Sequence, residues 1–218
     1  MNYDTDIFII RKTINNESPL TLIAAETGAS VRFSYPENIS QSSCFYRKNN
    51  ENWQEYNSNT EIILDNVNDY VQFKVKEEYI PIYQGINTNS YKFSLIKQIK
   101  LSGNIQSLLN YSNSCTPYCY YQTFLNCDSL IDANDLKLPA TTLANNCYSN
   151  MFRNCTSLSA APELPASEMV DSCYDYMFYG CTSLSSAPAL PANILADRCY
   201  RHMFQRLYII KFSTNIIY

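Results

Sequence analysis

The second half of the chain repeats itself, and this repeat limits the possible folds more than any other feature. The string CYSNMFRNCTSLSAAPELPA begins at Cys147, and CYDYMFYGCTSLSSAPALPA begins at Cys173, 26 residues later. Further Cys-Tyr pairs begin at Cys119 and Cys199. A unit of this size cannot bury its own apolar side chains, so such repeats stack into an array with a shared core. The sequence therefore predicts a stack of equivalent units.

Each unit carries apolar residues at the spacing of a helix. In the second unit this stripe is Leu143, Ala144, Cys147, Tyr148, Met151, Phe152 and Cys155. Steps of three and one place them on one helical face. The helix is expected to end near Asn154, and its counterpart in the next unit near Gly180, because Asn and Gly enter the left-handed conformation most readily. The two prolines of TSLSAAPELP exclude a continuing helix and favour a short extended segment over residues 157–161.

One strand and one helix per unit, stacked, make a solenoid. The predicted fold class is therefore α+β: a small all-β N-terminal domain followed by a short right-handed β/α leucine-rich-repeat solenoid. We divide the chain into a β-rich, sandwich-like domain (1–101), a linker and N-terminal cap of the solenoid (102–118), the solenoid (119–205) and an aberrant tail (206–218). The cap is predicted from Ile105, Leu108 and Leu109, which have helical spacing.

The first hundred residues alternate between apolar and polar side chains, as strands with one buried face do. The clearest runs are Val31-Phe33-Tyr35, Val71-Phe73-Val75 and Tyr91-Phe93-Leu95. Short strands separated by turn residues favour an antiparallel sandwich or barrel. Trp53, the only tryptophan, lies in a predicted hairpin. It is interpreted as a half-buried packing residue, with a ligand platform as the alternative.

The repeat pattern Cys-Tyr-x-x-Met-Phe-x-x-Cys-Thr-Ser-Leu-x-x-Ala-Pro-x-Leu-Pro-Ala resembles the BspA-like leucine-rich repeat surface proteins of bacteria and their phages. The resemblance covers residues 115–204. It implies a non-enzymatic surface or secreted protein that mediates protein–protein or cell-adhesion interactions through leucine-rich repeats. A phage virion or tail-associated structural or receptor-binding component is the alternative. The chain departs from the family pattern because it has only three nearly full units and loses the last one.

The repeat breaks after Phe204, where a glycine or asparagine and then a cysteine are expected. Codons allowed for Arg206 to Tyr218 can instead be read one base later as Gly-Cys-Ile-Ser-Leu-Asn-Ser-Ala-Pro-Ile-Leu, which matches the missing repeat. We therefore predict that residues 206–218 are an out-of-frame reading of the next unit, and that the tail is the least ordered part of the chain. The gene sequence after the Gln205 codon tests this prediction.

The nine cysteines are predicted to be free and buried. Cys147 and Cys155 are eight residues apart, about 12 Å along a helix, which is too far for a disulfide and unlike the spacing of zinc ligands. Cys155 with Cys181 is the one pairing left open. The ladder of thiols is interpreted as a set of small hydrophobic side chains.

No arrangement of residues points to catalysis, a cofactor or a metal. His202, the only histidine, follows Cys199 by three residues but shares a column with Asn150 and Tyr176, which predicts an exposed position. A catalytic nucleophile needs an oriented base inside a pocket. The chain is therefore predicted not to be an enzyme, and its binding residues are unknown at this stage.

The composition narrows the choice of partner. The net charge is −4, and Lys and Arg do not cluster, so nucleic acid and anionic membranes are not expected. The partner is predicted to be a protein or cell-surface ligand, with no membrane insertion. The N-terminus shows no signal peptide, because its apolar run from Ile7 to Ile10 is too short, and no transmembrane segment is visible. The resemblance implies a cell-surface or extracellular location, or a virion.

The repeats differ mainly at polar positions. The column of Ser149, for example, holds Asp175 and then Arg201, and the column of Arg153 holds Tyr179 and Gln205. Such variation over fixed apolar columns either carries binding specificity or marks a solvated face. One sequence leaves both interpretations open.

Overall fold

The computed structural model describes residues 18–35, 39, 41–76 and 90–207. Nine strands lie in this part of the chain: β1 (Leu20–Ala24), β2 (Ala29–Ser34), β3 (Cys44–Lys48), β4 (Gln54–Glu55), β5 (Glu61–Leu64), β6 (Tyr70–Val75), β7 (Lys92–Ile96), β8 (Ile99–Asn104) and β9 (Leu130–Lys137). Two short 3-10 helices, Gln41–Ser43 and Ile105–Leu109, complete the regular elements. Neither has the length and apolar character that a membrane crossing requires.

The strands form two sheets. One has six strands in the order β4-β3-β6-β1-β8-β9, and the other has three in the order β5-β2-β7. All pairings are antiparallel except that of β8 with β9. The sheets meet through aromatic side chains: the ring of Phe73, in the six-stranded sheet, lies 4.9 Å from that of Phe33 and 5.5 Å from that of Phe93, both in the three-stranded sheet. The three alternating runs lie at β2, β6 and β7, so their prediction as strands is confirmed, although β6 buries the intervening Gln72 as well as its apolar residues.

The hairpin around Trp53 is also confirmed. Strands β3 and β4 pair antiparallel across it. The indole ring is half-buried, with the Arg47 guanidinium 4.9 Å and the Lys74 ammonium 4.4 Å from its centroid. Two cations on the ring are a stabilising arrangement, which supports the interpretation of Trp53 as a packing residue.

The predicted α+β fold with a β/α leucine-rich-repeat solenoid is wrong. The described part of the chain contains no α-helix, and its strands lie in the two sheets. Where each helix was expected, ten residues form consecutive turns, at 117–126, 145–154, 171–180 and 197–206. We call these the first to fourth turn segments. The extended segment expected at 157–161 is not a strand either, since only the first unit forms one, β9.

The backbone conformation explains why no helix forms. In the second turn segment every fourth residue is left-handed, with φ of 57° at Asn146, 57° at Asn150 and 58° at Asn154. Repeated left-handed residues interrupt a right-handed helix. The predicted left-handed conformation of Asn154 and of Gly180 (φ 75°) is thus confirmed, but each belongs to a recurring turn and does not end a helix.

Hydrogen bonding in these segments alternates along the chain. Odd-numbered amides donate back three residues, as Met151 N–H does to the Tyr148 carbonyl (3.2 Å). Even-numbered amides donate to the next segment, as Tyr148 N–H does to the Cys173 carbonyl (2.9 Å) and Tyr174 N–H to the Cys199 carbonyl (3.0 Å). Inner segments thereby satisfy buried backbone groups that would otherwise cost folding free energy.

Two columns of aromatic rings reinforce the stack. Tyr148 lies 5.4 Å from Tyr120 and 5.5 Å from Tyr174 between ring centroids, with interplanar angles of 12° and 7°. The Phe column is stacked in the same way, with Phe152 and Phe178 5.6 Å apart and 1° from parallel. The 26-residue period therefore matches the stacking of successive turn segments and their rings.

The first turn segment is joined closely to the sheets. Phe93 of β7 stacks on Phe124 at 5.0 Å, and its N–H donates to the Thr123 carbonyl (2.8 Å). The Tyr120 hydroxyl donates a hydrogen bond to Gln106 Oε1 (2.7 Å) in the buried 3-10 helix Ile105–Leu109. Residues 105–109 therefore contact the first turn segment. The division of the chain into four parts, including the solenoid cap at 102–118, stays a prediction, and β8 runs across its boundary at residue 101.

Candidate binding groove

A concave surface lies between the proline-containing segments of the second and third units. The groove has a volume of about 410 Å³ and is lined by residues 160–165 and 186–189 together with Asn134 and Pro191. This volume is within the range of sites that bind small ligands or short peptide segments. Equivalent stretches of two successive repeats, AAPELP and SAPALP, form its opposite walls.

The prolines explain why the walls stay apart. Pro162 and Pro165 line the groove together with their repeat counterparts, Pro188 and Pro191, and none of the four has an amide hydrogen to donate. Backbone bonds join the units before this stretch, from Ser185 N–H to the Ser159 carbonyl, and after it, from Asn193 N–H to Ser167. Between those points, no backbone hydrogen bond joins described residues 161–166 to 187–192. Peptide groups of both walls are therefore left to solvent or to a ligand.

The floor is apolar and the rim is polar. Leu164 and Ala187 are 3% and 7% exposed, whereas Glu163, Ser186 and Asn134 are exposed. The Glu163 carboxylate has no ion-pair partner among the described residues. A ligand in the groove would thus meet an apolar base, backbone donors and acceptors, and one negative charge.

This lining does not provide catalytic chemistry. The residues around the groove include no thiol, imidazole or second carboxylate, so the general acid–base pairs and nucleophiles that enzymes use are not assembled there. In the described ranges, no cluster of three histidine, cysteine or acidic side chains is set to hold a metal ion. The arrangement is suited to binding.

The cysteines lie away from the groove lining. All nine are free and buried, as predicted. Cys155 donates its thiol hydrogen to the Phe124 carbonyl (3.0 Å), and Cys181 donates to the Phe152 carbonyl (3.0 Å), so each thiol ties one unit to the unit before it. Burial raises the pKa of the Cys127 and Cys181 thiols to about 12, which keeps them neutral and unreactive at physiological pH.

His202 is exposed, as predicted. Its ring lies 4.8 Å from that of Tyr176. Asn150, in the same column, is nevertheless buried, and its side chain donates to Ser149 Oγ (2.8 Å) and accepts from Arg153 (3.1 Å). The expectation that the whole column faces solvent is therefore wrong.

Several of the variable polar positions contact one another. Arg201 makes two hydrogen bonds to the Asp175 carboxylate, at 3.0 and 2.7 Å, and these bonds raise the pKa of Arg201. The Arg153 guanidinium lies 5.1 Å from the Tyr176 ring and 4.9 Å from the Tyr179 ring. These residues stabilise the stack across neighbouring units, which favours a structural role for this face.

The sequence interpretation missed the groove, because it took the prolines only as residues that stop a helix. The signal that could have revealed it is their recurrence: Pro162 and Pro188, and Pro165 and Pro191, occupy the same columns of neighbouring units. Prolines in register remove the interstrand donors of both walls at the same level.

Comparison of the chain with protein-family models, with curated proteins and with solved structures gave no match. The resemblance of the repeat to the BspA-like surface proteins therefore stays a prediction.

Proposed function

We propose that this chain is a non-enzymatic surface or secreted protein that mediates protein–protein or cell-adhesion contacts, and that its groove holds an extended segment of a protein ligand. The observation that carries the proposal is the groove itself, with an apolar floor and two walls whose backbone groups are not paired across it. An extended peptide can hydrogen-bond to such walls while its alternate side chains enter the apolar floor.

The charge at the rim indicates the type of segment. Glu163 is exposed beside the apolar floor, and the chain as a whole carries a net charge of −4. A segment with small apolar side chains and one Lys or Arg complements both features. Charge complementarity of this kind contributes to specificity and to association rate more than to affinity.

A displayed library of random decapeptides, selected on the intact protein, tests the proposal. We expect enriched sequences to combine small apolar residues with Lys or Arg, and to bind as synthetic peptides in fluorescence anisotropy. Ala189→Trp should abolish binding because the indole fills the groove, whereas Leu195→Trp, at a residue that is 65% exposed and outside the groove, should leave it unchanged.

The charge is tested separately. Glu163→Lys should weaken binding of the selected peptides about two- to fivefold at low salt, as expected for an exposed ion pair, and Glu168→Lys, an exposed position that does not line the groove, should not. Binding that survives Ala189→Trp would place the ligand elsewhere and refute the assignment of the groove. Chemical conversion of a bound peptide would refute the non-enzymatic part of the proposal.

A further inference from the structure

The two ends of the stack of turn segments differ. The first segment is covered by the sheets, since Phe93 both stacks on Phe124 and donates its N–H to Thr123. The fourth segment, residues 197–206, contacts the third on one side. Its other side faces away from every segment that precedes it.

The hydrogen bonds of the fourth segment are incomplete on that outward side. In the second and third segments the even-numbered amides donate to the next segment in register, as with Ser172 N–H to Asp197 (2.9 Å) and Phe178 N–H to Met203 (3.1 Å). The equivalent amides of the fourth segment have no backbone acceptor among the described residues. They are Arg198, Tyr200, His202, Phe204 and Arg206.

The aromatic columns are open at the same level. Tyr200 stacks on Tyr174 at 5.8 Å and Phe204 on Phe178 at 5.9 Å, each with one face. Within the described ranges no ring covers the other face of either, although inner rings such as Tyr148 are stacked on both sides. The Tyr200 hydroxyl oxygen is buried and has no hydrogen-bond partner among the described residues, which costs free energy.

We propose that the outward face of the fourth turn segment is a docking surface for a further unit of the same repeat. Such a unit offers carbonyl oxygens on alternate residues and a Tyr-Phe pair four residues apart. The third segment bonds to the same carbonyl oxygens and stacks on the same pair of rings in the fourth segment. The interface between successive segments recurs three times in this chain, each time with the same alternate hydrogen bonds and stacked rings. The fourth segment presents the same donors and rings at the same spacing.

The chemistry of this face argues against a second copy of the chain as the occupant. The carbonyls of Cys199, Arg201 and Met203 already accept from the third segment, and those of Arg198 and Tyr200 accept within the fourth. The face therefore offers mainly donors, and two such faces cannot satisfy each other. The first segment of another copy is not free either, because the sheets cover it.

Amide hydrogen exchange in an extended chain tests the proposal. The variant carries a second copy of residues 181–206 inserted after Arg206, which keeps the repeat in register and retains residues 207–218. In the parent we expect Tyr200, His202 and Phe204 amides to exchange about 100-fold faster than those of Tyr174 and Phe178. In the variant they should slow to the rate of those inner amides.

A matched insertion, with the positions that copy Tyr200 and Phe204 replaced by serine, should give little protection. Slow exchange of Tyr148 in every variant confirms that the inner segments remain folded. Three results would overturn the proposal: equal exchange at Tyr200 with and without the insertion, protection in the parent that rises with protein concentration, or protection in the parent that is lost when residues 208–218 are removed. The second would identify another copy as the occupant, and the third the chain's own tail.

Discussion

Substitution of Asn146 distinguishes the turn segments from the helices that the sequence pattern suggested. Asn146 has φ of 57°, and no hydrogen bond of its side chain is seen in the described structure. In the left-handed conformation a residue with a Cβ costs about 1–2 kcal/mol, and Asn and Gly tolerate it best. We therefore expect Asn146→Ala to lower the unfolding free energy by about 1 kcal/mol and Asn146→Gly to leave it unchanged or raise it slightly.

A helix would give the opposite order. In a helix interior Ala is more favourable than Asn by about 0.5 kcal/mol, and Gly is the least favourable of the three. Urea unfolding followed by near-ultraviolet circular dichroism measures the difference. Asn145→Ala is the matched control, since the neighbouring Asn145 is exposed and its φ is not positive, so its effect should stay within about 0.5 kcal/mol. An Asn146→Ala variant more stable than Asn146→Gly would refute the turn geometry.

Three further perturbations test the packing of the stack. Met177→Asp should lower the unfolding free energy by more than about 3 kcal/mol because Met177 is 0% exposed. Tyr179→Asp, at a half-buried position beside Arg153, should lower it by about 1 kcal/mol. Equal shifts in melting temperature would contradict the assignment of Met177 to the core. Gly180→Ala should destabilise the fold by more than 1 kcal/mol, since φ is 75° and the new Cβ would lie 2.5 Å from Asn154 Oδ1, and unchanged unfolding in urea would count against it. Burial raises the pKa of the Cys181 thiol from 9.0 to about 12, so the stabilisation that the buried neutral thiol contributes is complete below pH 9. Between pH 9 and 12 this contribution falls by about 1.4 kcal/mol per pH unit. In a Cys181→Ala variant the unfolding free energy should therefore fall less steeply with alkaline pH, and an identical slope would refute this prediction.

The strands could be predicted from the sequence because a strand with one buried face alternates between apolar and polar residues. Val31 and Phe33 are buried while Arg32 between them is exposed, and alternation of this kind fits only an extended backbone. The nine cysteines are free and buried as predicted, but the argument against a disulfide used the distance between Cys147 and Cys155 along a helix that does not form. Of the two predictions, only that of the strands depends on local spacing alone.

The helices could not be excluded by the same reasoning. Cys147, Met151 and Cys155 are four residues apart, a step that suits one face of a helix and equally a turn that recurs every fourth residue. The distinguishing signal is the series Asn146, Asn150 and Asn154, since a left-handed position at each of them breaks a helix. Ser172 and Tyr176 hold two of these positions in the next unit and conceal the series.

The groove and the open face depend on contacts between units, which a single repeat does not record. Whether Tyr148 N–H bonds to Ala144 within its unit or to Cys173 in the next is decided by how the units stack. The groove, in turn, depends on the distance between two walls that lie 26 residues apart in sequence. The prediction of an out-of-frame tail concerns residues 206–218, of which Arg206 and Leu207 are described and 208–218 lie outside the described residues.

Scalar couplings through hydrogen bonds, measured by NMR between amide nitrogens and carbonyl carbons in the deuterated protein, test the stacked turns most directly. The structure predicts a coupling from the Tyr148 amide to the Cys173 carbonyl, whose hydrogen-bonded atoms are 2.9 Å apart, and from the Met151 amide to the Tyr148 carbonyl, at 3.2 Å. Couplings from Tyr148 to Ala144 and from Met151 to Cys147 would show an α-helix and contradict the account.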